Sequence, residues 1–157
     1  MTELKPGLKG HAETVVAPGN TAADVGSGAL PVFSTPHMIA LMEKAAMDAI
    51  APCLEEGQGS VGTNINVSHL AASPIGMSIR AESELTAVDR RMLTFRVRAY
   101  AGAELIGEGS HQRCLIMNDR FMEKTQAKLK EAQTVTGRGH FAPCLFMFSL
   151  KISENVL

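Results

Sequence analysis

The chain contains no tryptophan, one tyrosine and six phenylalanines, so aromatic residues fill 4% of its 157 positions. With so few stacking side chains, and no basic run interleaved with aromatics, no nucleic-acid surface is expected. An excess of either charge is also missing: fifteen Lys and Arg stand against sixteen Asp and Glu, for a formal net charge of −1. Polyanionic partners are therefore not expected. Cysteine is scarce. Cys53, Cys114 and Cys144 are widely spaced, odd in number and without metal-ligand spacing, which reads as buried thiols in a reducing compartment and as no metal site. No run of about eighteen apolar residues occurs, and the opening residues MTELKPGLKGHAETVV contain no apolar stretch of the signal-peptide kind. A cytoplasmic protein without a membrane partner is the expectation.

What the chain does have is 45% apolar and 20% charged residues, enough for one globular domain with a real core. A domain over residues 1–133 is expected, followed by a tail, 134–157, of uncertain order. The tail carries three of the six phenylalanines but is too short to span a bilayer, and no function is assigned to it.

Lys9 to Val16 reads as a first strand, ended by the turn-forming run Ala17, Pro18, Gly19, Asn20. Thr21 to Pro31 is small and glycine-containing, and suggests a loop or lid. The stretch STPHMIALMEKAAMDAI then predicts an amphipathic helix. Four strands follow. SVGTNINVSHL places Val61, Thr63, Ile65, Val67 and His69 on one face; MSIRAESEL, MLTFRVRAY and LIGEGSHQRCLIM alternate in the same way. A short helical pattern, RFMEKTQAKLKEAQ, comes last. Runs of half-polar strands imply antiparallel pairing, and one strongly apolar helix needs a surface to cover. The class is α+β, with the sheet wrapped on the helix.

Within that helix Glu43 is out of place. Counting His37 as zero, the apolar residues from Met38 to Ile50 fall between roughly 80° and 280°, and Glu43 falls at about 240°, one turn from Ile39 and Met47. A carboxylate among hydrocarbon costs several kcal/mol unless paired, and desolvation moves it toward general-base chemistry. A Glu satisfied by a partner, or one at the rim of the apolar arc reaching solvent, fits the pattern as well. His69 is the second oddity, since it closes the apolar-looking face of its strand; packing in the core explains such a histidine without chemistry. Thr35 and Pro36 make a helix start, with a hydroxyl at the N-cap and proline at the first position, which accounts for Thr35 by capping alone.

The stretch VFSTPHMIALMEKAAMDAIAPCLEEGQGSVGTNINVSHLAASPIGM, followed by IGEGSHQRCLI, resembles the hotdog-fold thioesterases related to fluoroacetyl-CoA thioesterase. The likeness covers roughly residues 8 to 125. Thr35, Glu43 eight residues on and His69 twenty-six further stand at the family's spacing, Gly62 matches its strand glycine, and His111 and Arg113 match its His-x-Arg. The resemblance implies a hotdog fold, a long central helix wrapped by an antiparallel sheet, and a homodimer or higher oligomer with sites at the subunit interface. It implies hydrolysis of a small, short-chain acyl-CoA to free acid and CoA, without a metal or an organic cofactor. Glu43 would be nucleophile or base for water, Thr35 would orient it, and His69 would assist proton transfer. The Gly62 N–H would hold the thioester oxygen and Arg113 would hold substrate, although an inward arginine paired with a carboxylate needs no substrate at all. The chain has Gly26 and Ala29 where fluoroacetyl-specific members carry lid phenylalanines, and Pro36 where a glycine is common. A non-catalytic module that binds acyl-CoA or a small apolar ligand in the same pocket is the alternative.

Overall fold

The computed structural model describes residues 3–136. In chain order these form β1 (Lys9–Val15), α1 (Thr35–Ile50) with a single 3-10 turn at Ala51–Cys53, β2 (Gln58–His69), β3 (Ser78–Asp89), β4 (Met92–Ala101), β5 (Glu104–Met117) and α2 (Asn118–Thr136). The strands make one antiparallel sheet in the order β1-β3-β4-β5-β2. Internal packing divides the chain into two compact units with the boundary between Phe121 and Met122. Of the second unit, the described part is the helical segment 122–136, and the tail expected from residue 134 lies outside the described residues from 137 onward.

The first unit has the architecture that the hotdog resemblance implies, one long helix against a curled antiparallel sheet. Its core forms where the inner face of the sheet meets α1. Met38, Met42 and Ile50 are fully buried there, each contributing about 1.5–3 kcal/mol by leaving water. The helix comes close because the sheet has little side chain in its path. Ala12, Ala81, Ala99 and Gly107 align across four neighbouring strands. Toward the sheet the helix buries Ala45, Ala46 and Ala49, and Met38 covers Gly107. At Gly10 the approach is backbone to backbone, for a Cβ there would run into the Ala45 carbonyl and the Ala49 nitrogen. Ser83 satisfies that carbonyl, its buried hydroxyl donating to Ala45 O at 2.8 Å.

Strand β2 departs from simple alternation. Its pairing with β5 shifts between Gly62 and Asn64, leaving Thr63 as the extra residue of a bulge. Ser60 pairs with the buried Leu115 and Gly62 with the buried Arg113; after the bulge Ile65 pairs with the buried His111, and His69 with Gly107. Directly paired residues share a face, so Ser60, Gly62, Ile65, Val67 and His69 point inward while Val61, opposite Cys114, points outward. The expected single face of Val61, Thr63, Ile65, Val67 and His69 is corrected accordingly.

Candidate active site

Glu43 lies on the flank of α1 and not in the packed arc. The buried residues of the helix are Met38, Leu41, Met42, Ala45, Ala46, Ala49 and Ile50, whereas Met47, one turn beyond Glu43, is exposed. The Glu43 side chain is 38% exposed, so it stands at the rim of the apolar face, with one side open to a ligand.

Two buried nitrogen-bearing side chains meet it from β5. His111 Nε2 lies 3.5 Å and Arg113 Nη1 4.0 Å from Glu43 Oε1. Alternation on β5 places His111 and Arg113 on the inner face with Gly107 and Gly109, which makes room for two polar side chains in an otherwise apolar layer. Arg113 is anchored by Ser60, its Nε donating to the hydroxyl at 2.8 Å and its Nη2 to the carbonyl at 2.9 Å. Burial pushes the Arg113 guanidinium down from its ordinary value, and the Glu43 charge opposes that change. Gly62 completes the group from β2, because a Cβ at this position would stand 2.5 Å from Glu43 Oε1 and 3.1 Å from His111 Cε1. Only glycine leaves the carboxylate where it is.

Thr35 and His69 meet elsewhere. The N-cap of α1 is Ser34, whose hydroxyl accepts from the His37 N–H, and Thr35 is the first helical residue. The expected capping role of Thr35 is thus taken by its neighbour. Freed from it, the Thr35 hydroxyl lies 2.8 Å from His69 Nδ1. His69 Nε2 is buried without a hydrogen-bond partner among the described residues. Thr35 and Glu43 are separated by two helical turns, about 12 Å along the axis. Among the described residues no hydrogen bond joins Glu43 to Thr35 or His69. One chain therefore presents two clusters, Thr35 with His69 and Glu43 with Gly62, His111 and Arg113.

Sequence reasoning quoted His111 in a motif without giving it a task, and passed over Ser60. The available signal was the placement of His111 and Arg113 two residues apart on a strand whose other inward positions are glycine or apolar. Among the described residues no group of three or more His, Cys, Asp or Glu side chains is placed to hold a metal ion, and no helix is long and apolar enough to cross a membrane. A cavity of about 430 Å³ opens on the opposite, outer face of the sheet, between Lys9, Arg80, Glu84, Arg96 and Arg98. That face is a grid of exposed ion pairs such as Arg96–Glu84 at 3.0 Å, as solvated antiparallel sheets commonly carry, and it is remote from Glu43.

Comparison with known proteins agrees with this fold. Residues 16–119 match the family model described as fluoroacetyl-CoA-specific thioesterase. A fluoroacetyl-CoA thioesterase from Streptantibioticus cattleyicolor is 44% identical over 97 residues, covering 62% of this chain and 70% of that protein. A solved structure of the fluoroacetyl-CoA thioesterase FlK superposes with a TM-score of 0.75 at 36% identity, covering 81% of this chain and 98% of that one. A Thermus thermophilus protein described as a thioesterase superfamily member gives 0.76 at 30% identity, covering 86% and 99%. A hot-dog-like protein from Thermanaerovibrio acidaminovorans, at 20% identity and a TM-score of 0.71 over 78% and 91% of the two chains, shares the fold. On this extent of match the chain belongs to the fluoroacetyl-CoA-specific thioesterase family, a family of thioester hydrolases.

Proposed function

We propose that the chain hydrolyses a short-chain acyl-CoA thioester to the free acid and CoA, with Glu43 as the reacting carboxylate. The observation that carries this reading is the setting of Glu43, half-open on one side and bracketed on the other by Arg113, His111 and the side-chain-free Gly62. As a base, Glu43 takes a proton from the water that attacks the thioester carbon; as a nucleophile, it attacks that carbon itself, breaking the C–S bond to expel the thiolate and leaving an acyl anhydride that water then hydrolyses to the free acid. In either case negative charge develops on the carbonyl oxygen, and the Gly62 N–H is assigned to receive it. Arg113 holds substrate and carboxylate in register. Thr35 orients its partner His69, and His69 Nε2, which lacks a hydrogen-bond partner among the described residues, delivers a proton to the departing thiolate.

The separation of the two clusters supports a homodimer. Among the described residues the outer edge of β2 has no strand beside it, and Ile65 and Val67 are only half-covered on its inner face. A second copy laid against this edge covers them and brings a second Thr35–His69 pair toward the site. Free thiols at Cys53 and Cys114 support a reducing, cytoplasmic setting.

The test is thiol release from acetyl-, propionyl-, butyryl-, phenylacetyl- and fluoroacetyl-CoA by the wild type and by Glu43→Ala. Turnover lost in the variant establishes the carboxylate's role and ranks the acyl groups. Calorimetric binding of a CoA ester with no release over hours would replace hydrolysis by a binding function.

A further inference from the structure

The mechanism above leaves His111 without a task, although its Nε2 lies closer to the Glu43 carboxylate than the Arg113 guanidinium does. Its partners place its proton. The Asn64 carbonyl, 2.8 Å from Nδ1, can only accept, so Nδ1 carries the hydrogen and donates. Arg113 can only donate, so Nε2, 3.2 Å from Nη1, is an acceptor. The ring is therefore neutral, with its lone pair turned toward Arg113 and Glu43 together.

We propose that His111 is a positioning residue that keeps Glu43 available: neutral, it accepts from Arg113 and withholds a proton from the carboxylate, whereas protonated it clamps the carboxylate and switches the site off. This inference rests on the reading of Glu43 as the reacting group. Protonation at Nε2 would set two N–H donors against each other across the 3.2 Å contact with Arg113, and would turn a non-bonded 3.5 Å approach to Glu43 into a charge-assisted hydrogen bond. The carboxylate then faces His111 instead of substrate and is a weaker base. The groups facing the ring are Glu43 from α1, the Asn64 carbonyl from β2, the Phe95 ring from β4 at a centroid distance of 6.3 Å, and Arg113 from β5 itself.

Burial is the largest influence on His111 and holds it below the ordinary histidine value; the Asn64 carbonyl and Glu43 pull it up, and Arg113 pushes it down again. A lowered value means that the neutral, permissive form persists below the usual histidine range. Activity is then lost only as pH falls through the depressed His111 value.

The experiment compares pH profiles of kcat/KM for the wild type, His111→Gln and Glu43→Gln, with the fold of each checked by circular dichroism. Glutamine keeps an oxygen that can accept from Arg113 but has no titratable nitrogen. Relative to its own high-pH plateau, His111→Gln is expected to move the acid limb down by about one unit or more. An unmoved acid limb overturns the inference. Independently, nitrogen–proton correlation spectra of the wild type should show His111, assigned through its contact with Phe95, as the Nδ1–H tautomer. Observation of the Nε2–H form overturns it even where His111→Gln does not fold. Full activity in Glu43→Gln would remove the functional reading itself; an inactive Glu43→Gln with an unmoved limb in His111→Gln would remove this inference alone.

Discussion

The Thr35 hydroxyl bonds to His69 Nδ1 at 2.8 Å, and it is free to do so because the neighbouring Ser34 caps the helix. On the function proposed for the Thr35–His69 pair, two adjacent hydroxyl residues divide capping from chemistry. Ser34→Ala should lower stability by about 1 kcal/mol. Thr35→Val should leave the melting temperature nearly unchanged and lower kcat on the order of tenfold, with Thr35→Ser restoring most of the rate. Paired thermal melts and thiol-release assays separate the two; equal loss of rate in both variants would mean that the division is wrong.

Gly62 predicts a different split. A methyl group there would press on Glu43 Oε1, the free end of a half-exposed side chain, so the chain yields easily and the carboxylate moves. Gly62→Ala is expected to unfold within about 0.5 kcal/mol of the wild type and to lose at least about tenfold in kcat/KM. Urea unfolding beside steady-state kinetics checks this, and a fully active variant would show that Glu43 needs no fixed position.

At Gly10 the obstacle is backbone of α1 and cannot step aside. Gly10→Ala should therefore destabilise the fold by about 1–3 kcal/mol through overpacking, with activity per folded molecule retained at permissive temperature. The reading is the urea midpoint; no change would mean that the helix can lift from the sheet at no cost.

The segment between β1 and α1 is pinned by Asp24, whose Oδ2 accepts from the Gly19 N–H at 2.8 Å and the Thr21 hydroxyl at 2.6 Å. The Thr21 hydroxyl first, and the Gly19 N–H next, hold its carboxyl below the ordinary carboxylate value. A depressed value means that the contribution is complete above the unfolded carboxylate's range and disappears as pH falls through the folded one. Amide exchange of Gly19 to Ser27 should accelerate only in that acid window, and Asp24→Asn should show the faster exchange at neutral pH.

Much of this was legible in the residues. Period-two alternation located β3, β4 and β5, and the apolar arc located α1, because each element buries one face along its whole length. Glu43 stood out for the same reason, as a carboxylate placed among apolar helix positions. The bulge at Thr63 was not legible, since an extra residue leaves both halves of β2 alternating and only the partner strand reveals the slip. Nor could the choice between Ser34 and Thr35 as cap be read, both being hydroxyl residues within two positions of Pro36. The pairing of Glu43 with His111 depends on contacts across 68 positions of chain, which no local pattern encodes.

The bulge gives β2 two reading frames, one holding Ser60 and Gly62 inward and the other Ile65, Val67 and His69. Removing Thr63 would merge the frames into one unbroken alternation that keeps Ser60, Gly62, Ile65, Val67 and His69 on the inner face, and what the strand would lose is the local bend that the extra residue imposes between the anchor of Arg113 and the partner of Thr35.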